Sequence, residues 1–200
     1  MKYVENIREV AGLQPDYLGF IFYEKSKRNF EGIIPDIDKK IKKVGVFVNE
    51  YLEIVVSLAE EYKLNALQLH GEETADYIKE LKTHLPKVEM IKVFGVKDAF
   101  DFTQLKPYEA VVDYFLFDTK GEERGGNGVS FDWKLLEKYP SEKPYFLSGG
   151  IGVDEIKSVQ EFMNMPYAKH CKALDVNSKF ETAPGKKSVS ALKKFQAAIF

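Results

Sequence analysis

Tyr145-Phe-Leu-Ser-Gly-Gly-Ile151 and Leu174-Asp-Val-Asn-Ser178 are the two stretches on which the fold turns. Each is an apolar, strand-like run that stops at small or polar residues, and each leads into a segment of helical character. Two such strand ends side by side bring the backbone N–H groups of their loops to one point. In a parallel α/β barrel that point, at the loops after the last two strands, is where a phosphate sits. The pair therefore predicts both a barrel and a phosphorylated small-molecule ligand.

Outward from these stretches, β-branched and aromatic runs recur roughly every 20 to 30 residues with helical periodicity between them. The predicted strands are Tyr17–Tyr23, Lys43–Val48, Ala66–His70, Glu89–Phe94, Tyr114–Asp118, Tyr145–Ser148 and Lys172–Val176. The predicted helices are Val4–Ala11, Pro35–Lys42, Leu52–Tyr62, Thr74–Leu85, Asp98–Leu105, Asp132–Tyr139, Val153–Asn164 and Ser188–Ala198. The strands are almost continuously apolar, as strands covered on both faces are. Strand–helix alternation through a single domain of 200 residues leaves an eight-fold barrel or an open doubly wound sheet. The two phosphate-type loops favour the TIM (β/α)8 barrel over residues 1–200. The pattern opens on a helix, and only Met1, Lys2 and Tyr3 precede it, too few for a barrel strand and its loop. The expectation is a barrel whose first strand is missing from this chain. The edges left open at Tyr17–Tyr23 and Lys172–Val176 would then invite self-association.

The composition is that of an ordinary soluble globular domain, 44% hydrophobic and 30% charged. A formal net charge of −2 argues against a dedicated partner among nucleic acids or anionic membranes. No apolar run approaches the ~20 residues that span a bilayer, and Met1–Asn6 lacks the apolar core of a signal peptide, so the expected location is cytoplasmic. A single cysteine, Cys171, excludes an internal disulfide or a multi-cysteine metal site.

The residues also resemble a known family. Eight stretches are similar, in order, to those of phosphoribosylanthranilate isomerase: Asp16-Tyr-Leu-Gly-Phe-Ile-Phe-Tyr-Glu-Lys-Ser-Lys-Arg28, Lys43-Val-Gly-Val-Phe-Val-Asn49, Leu67-Gln-Leu-His-Gly71, Phe117-Asp-Thr-Lys120, Gly125-Gly-Asn-Gly128 with Phe131-Asp-Trp133, Leu147-Ser-Gly-Gly150, Leu174-Asp-Val-Asn-Ser178 and Pro184-Gly-Lys-Lys187. The resemblance implies an Amadori rearrangement of tryptophan biosynthesis, in which an aminoaldose phosphate becomes an aminoketose phosphate. An acid protonates the furanose ring oxygen, a base takes the C2 proton, and neither step needs a metal or an organic cofactor. The family opens with a strand ending in Lys-(Ile/Val)-Cys-Gly-(Met/Ile), whose cysteine is the base. Met1 aligns just after that signature, so the expectation is a truncated start that lacks the base and impairs turnover.

The resemblance makes Asp118, at a strand end, the general acid; on the residues alone an Asp capping a loop is the better reading. It makes Arg28 the grip on the anthranilate carboxylate, although Lys25-Ser-Lys-Arg28 also reads as a solvated charge cluster, and Lys27 stands where the family usually has Pro. His70 becomes a pocket-lining residue without a part in proton transfer, and Asp175 either a substrate ligand or a loop anchor. Gly149, Gly150, Asn177 and Ser178 form the phosphate cradle, with Lys179 where the family often has Gly. Gly121–Gly128 is the expected lid. His84 and His170 read as surface residues, and Cys171 as a structural residue near the face opposite the site. Two other functions compete: a different phosphosugar isomerase or epimerase, and a non-catalytic barrel that binds a phosphorylated ligand. Only His70 offers the strand-end histidine that metal-dependent epimerases use in numbers.

Overall fold

Strands apolar on both faces can be stable only where both faces are covered, and here they assemble into one parallel sheet. The computed structural model describes residues 1–119 and 131–200. The expected lid, Gly121–Gly128, lies outside the described residues. The sheet comprises β1 (Tyr17–Ile21), β2 (Lys42–Phe47), β3 (Ala66–Leu69), β4 (Glu89–Val96), β5 (Tyr114–Thr119), β6 (Tyr145–Leu147) and β7 (Cys171–Leu174), paired strictly in that order. Among the described residues five α-helices lie outside it: α1 (Val4–Ala11), α2 (Leu52–Glu61), α3 (Ala75–His84), α4 (Ile156–Met163) and α5 (Val189–Ile199). None of the described helices is long and apolar enough to cross a membrane.

The strand alternation divides the core into two layers. Val44, Ala66, Ile91, Val93, Leu116 and Phe146 point inward and fill the middle of the curled sheet. A much larger cluster, including Phe47, Leu67, Leu69, Met90, Phe115 and Phe117, packs between the sheet and the helices. The N-terminal end of the interior is closed by a polar plug. Lys42 Nζ lies 2.5 Å from Glu89 Oε1 and sits over the Tyr17 ring, while Tyr17 and Tyr114 pack against Phe146. Among the described residues no such plug closes the opposite, C-terminal end of the strands.

All seven predicted strands form, and the helical predictions diverge where side chains compete for the backbone. No helix forms over Pro35–Lys42. Proline disfavours helix in Ile34 before it, and the Asp38 carboxylate accepts the Lys40 N–H at 2.9 Å, a local turn that displaces the helical bond. Asp98–Leu105 becomes a 3₁₀ turn at Phe102–Tyr108, with Asp101 capping it and Pro107 inside it. Asp132–Tyr139 becomes a 3₁₀ turn at Trp133–Lys138, capped by Asp132. Val153–Asn164 splits into a 3₁₀ turn, Val153–Glu155, and α4. Unanticipated is a small antiparallel hairpin, β8 (Glu181–Ala183) and β9 (Lys186–Lys187), which turns at Gly185 with φ +79°.

Among the described residues β1 and β7 do not pair with each other, and a seam runs between them. The hairpin straddles its mouth and is clasped to the start of the chain. Asn6, only 3% exposed, donates from Nδ2 to the Lys187 carbonyl at 2.9 Å and accepts the Lys187 N–H on Oδ1 at 2.6 Å. Lys2 N–H donates to the Gly185 carbonyl at 3.1 Å. Asn6→Leu would strand both backbone groups of Lys187. At ~1–2 kcal/mol for each unsatisfied, partly buried group, and ~2–4 °C per kcal/mol for a chain this size, thermal denaturation should show a loss of roughly 5–10 °C. Asn6→Asp keeps the acceptor and should lose about half of that. An unchanged midpoint in Asn6→Leu would show that the clasp is not stabilising.

Candidate active site

The open end of the barrel holds a cavity of about 880 Å³ that continues into the seam. All eight residues singled out in the sequence, Arg28, His70, Asp118, Gly149, Gly150, Asp175, Asn177 and Ser178, line it. They come from the ends of five strands, so the sheet rather than any local motif brings them together.

Asp118 is the next-to-last residue of β5, on the sheet's inner face and 6% exposed. Burial pushes its carboxyl up to about 6, and the negative charge of Asp175 adds to the push. The Thr119 N–H, 2.9 Å from Oδ1, and the Ser148 hydroxyl pull the other way without cancelling it. A carboxyl poised there is about half protonated near pH 6, far more than an ordinary Asp, and can give that proton up. His70 follows β3, and its Nε2 lies 3.6 Å from Asp118 Oδ2.

The turn that carries His70 is pinned from behind by a buried ion pair. Lys92 Nζ donates to the carbonyl of Gly71 at 2.7 Å and to Glu73 Oε2 at 3.0 Å, and Glu73 in turn accepts the N–H groups of Gly71 and Asn49. Gln68, two residues before His70 and on the same face of β3, closes a line across the cavity. Its Nε2 donates to Asp175 Oδ2 at 3.1 Å, and its Oε1 faces His70 Nδ1 at 3.4 Å. Asp175 follows β7 directly, its N–H bonded to the Leu147 carbonyl at 2.8 Å. Burial raises its carboxyl above the usual range, and Gln68 and Lys187 draw it back down.

The two glycines after β6 adopt backbone conformations that other residues avoid: φ is +89° at Gly149 and +67° at Gly150. A Cβ on Gly149 would lie 2.3 Å from Thr119 Oγ1 and 2.6 Å from Thr119 N, so this loop is seated directly on the end of β5. After β7, Asn177 precedes a 3₁₀ turn, Ser178–Phe180. Lys179 does not turn into the cavity between these loops; its Nζ bonds Glu155 at 2.5 Å and its stem passes over Gly152. The lysine thus laces one loop to the other.

Arg28 is half-buried while Lys25 and Lys27, which also border the cavity, are exposed, so the basic cluster of the sequence separates into one sheltered guanidinium and two solvated ammonium groups. Its Nε and Nη2 engage the Glu181 carboxylate at 2.8 to 3.1 Å. Lys187 Nζ, with a side chain 9% exposed, reaches the same carboxylate at 2.9 Å and the Asn177 carbonyl at 3.1 Å. Burial lowers the Lys187 ammonium, and Glu181 is its main opposing influence. Cys171 opens β7 at the far end of the barrel, and burial pushes its thiol up to about 12, which removes it from the site. His84 is exposed as read, whereas His170 is half-buried beside Tyr139.

Gln68, Glu181 and Lys187 escaped the sequence reading. Gln68 did leave a signal: an amide in the apolar run Ala66–Leu69, at the spacing that shares a face with His70. Glu181 gave none, and Lys187 stood only as the last residue of the matching stretch Pro184-Gly-Lys-Lys187, because both lie on a hairpin that was not foreseen.

Known proteins share this sequence and shape. Residues 1–198 match the model of the family described as N-(5′-phosphoribosyl)anthranilate (PRA) isomerase. The N-(5′-phosphoribosyl)anthranilate isomerase of Parabacteroides distasonis is 41% identical over 201 residues, covering 98% of this chain and 88% of the relative. The crystal structure of phosphoribosyl anthranilate isomerase from Thermotoga maritima superposes with a TM-score of 0.80 at 30% identity, covering 100% of this chain and 95% of that one. A phosphoribosyl anthranilate isomerase in complex with reduced 1-(o-carboxyphenylamino)-1-deoxyribulose 5-phosphate superposes with a TM-score of 0.78 at 28% identity, covering 100% of this chain and 94% of that one.

Proposed function

Because this chain belongs to the N-(5′-phosphoribosyl)anthranilate isomerase family, we propose how its own residues carry the isomerase reaction of tryptophan biosynthesis. The substrate is an aminoaldose phosphate that also bears an aromatic carboxylate. Its product is 1-(2-carboxyphenylamino)-1-deoxyribulose 5-phosphate. The reaction moves protons without net oxidation, so what it requires is a proton donor, a proton acceptor and two anion subsites.

The observation that carries the reading is Asp118, a buried carboxyl raised to about 6 in the same cavity that Arg28, Gly149, Gly150 and Ser178 line. Its proton goes to the furanose ring oxygen; the C1–O bond breaks and C1 becomes a protonated Schiff base. The C2 proton of that cation is acidic and passes to a base, a role that none of the residues named above fills; its loss gives the enolamine, which tautomerises to the ketone. Gly149, Gly150 and Ser178 hold the phosphate through backbone N–H groups, and Asn177 shapes the second loop through its bond to Lys187. Arg28 takes the anthranilate carboxylate. Glu181 occupies Nε and Nη2 and so orients the guanidinium plane towards the cavity. Asp175 serves twice, as a hydrogen-bond acceptor for the sugar and as the negative charge that keeps Asp118 protonated.

The test is conversion of the aminoaldose by this chain, followed by proton NMR. The anomeric C1 proton should disappear as a C1 methylene appears. Saturable binding of the substrate with no methylene signal would favour the non-catalytic barrel instead.

A further inference from the structure

We propose that Lys187 is a positioning residue that ties the carboxylate subsite to the phosphate subsite, so that the site selects one molecule bearing both anions at a fixed separation. The inference deepens the reading above and rests on Arg28 and the loops after β6 and β7 being the two anion subsites. It starts from an unbroken line of contacts along the cavity wall, Arg28–Glu181–Lys187–Asn177.

Lys187 reaches into the cavity from a fixed point. Both polar groups of its backbone are held by the buried Asn6. Its side chain ends in an ammonium with three N–H donors. Three acceptors meet them: Glu181 Oε1 at 2.9 Å, the Asn177 carbonyl at 3.1 Å and Asn177 Oδ1. An ammonium with all its donors committed has none to give a ligand, so Lys187 acts through its partners.

Each partner serves one subsite. Glu181 Oε1 accepts from Lys187 and from the Gly185 N–H at 3.0 Å, while Oε2 takes Arg28 Nε at 2.9 Å and Nη2 at 2.8 Å. One edge of the planar guanidinium is thereby filled. Among the described residues Nη1 has no hydrogen-bond partner, which leaves the edge it shares with Nη2 for the carboxylate of a ligand. Two cations share the one Glu181 carboxylate, so a surplus positive charge remains for that ligand to meet. At the other end, Asn177 leads into the turn that begins at Ser178, and its backbone, at φ −136° and ψ −98°, belongs to no regular element. The lysine holds this residue where neither helix nor strand does. A shift of the ammonium would move the guanidinium and the phosphate loop together.

Chemical-shift titration of the intact protein with anthranilate and, separately, with ribose 5-phosphate reads each subsite without turnover. In Lys187→Met, which keeps the stem but no donor, both dissociation constants should rise by roughly 10-fold. KM for the complete substrate should rise by about the product, on the order of 100-fold, with kcat changing much less. Arg28→Gln, by contrast, should weaken anthranilate alone. A rise for only one fragment in Lys187→Met overturns the link, and so does a folded variant that binds both as wild type does. Should Lys187→Met not fold, Glu181→Gln decides instead. It keeps the shape but not the charge, and should weaken anthranilate and, through Lys187, ribose 5-phosphate as well; an effect confined to anthranilate overturns the link. A wild-type protein that binds neither fragment removes the subsites and the link together. One that binds both without converting the substrate removes only the isomerase reading, and the variants' fragment constants still decide the link.

Discussion

Asp118→Asn is expected to lower turnover by roughly 10²-fold or more, the usual contribution of a positioned general acid, with little change in KM. The substitution keeps the shape and the Thr119 hydrogen bond but has no acidic proton to give. The wild-type profile should carry the matching signature. Its acid works protonated, so kcat should fall as pH rises through about 6, the value to which burial and Asp175 lift the carboxyl. The same shift has a stability consequence of opposite sign. The folded value is raised above the ordinary 3.8, so the folded state binds the proton more tightly than the unfolded chain. The favourable contribution is complete below pH 4 and is lost as pH rises through about 6. Above that, ionised Asp118 costs about 2–3 kcal/mol. Asp118→Asn removes this cost, so the inactive variant should melt several degrees higher than wild type at pH 8 and lose that advantage near pH 4. Near-normal turnover, or a melting difference independent of pH, would remove Asp118 from this role.

Gly149→Ala is the second large effect. At φ +89° an alanine is strained by ~1–2 kcal/mol, and its methyl would lie 2.3 Å from Thr119 Oγ1 and 2.6 Å from Thr119 N. Thr119 N is part of the backbone and cannot swing aside, so overpacking of ~1–3 kcal/mol is added. The sum is a loss of roughly 2–5 kcal/mol, visible in urea denaturation. Catalysis should suffer in two places at once. The loop moves off the phosphate, and Thr119, the residue pushed, is the one whose N–H orients Asp118. A displacement near 1 Å commonly costs ~10²-fold in rate, so kcat/KM should fall by at least that much, through both kcat and KM. A stable variant with normal kcat/KM would mean that the tight seat of Gly149 on β5 is unrelated to the chemistry.

The strands were legible because buried parallel strands are written in one local code, runs of apolar and β-branched residues, and nothing distant has to be known to read them. Asp118, Gly149 and Gly150 were legible for the same reason, since strand ends follow from strands. The Pro35–Lys42 reading failed where a short side chain outbids the helix for a backbone N–H, as Asp38 does, while Asp101 and Asp132 cap turns that run shorter and tighter than an α-helix. The amphipathic pattern is the same in either case and cannot register that competition. Local patterns carry no information on the partners of Arg28 and Gln68, which lie 153 and 107 residues away. A charge cluster in the sequence, Lys25 to Arg28, resolved into separate roles only when Glu181 arrived from the other end of the chain.

The clasp of Asn6 on Lys187 closes a loop of almost the whole chain, with 181 residues between its ends. Every strand pairing in the sheet, by contrast, joins sequence neighbours. Closing so long a loop is entropically demanding, and it rewards folding only once the intervening strands are in place. Local opening should therefore start at this junction, and the amides of Lys2, Lys187 and the β8–β9 hairpin should exchange with solvent well before those of β4 and β5. The same junction carries Lys187, which reaches Asn177 beside the phosphate loops. A bound phosphate ester would rest against the part of the protein most prone to open, and its occupancy should be readable as slowed exchange at the two ends of the chain.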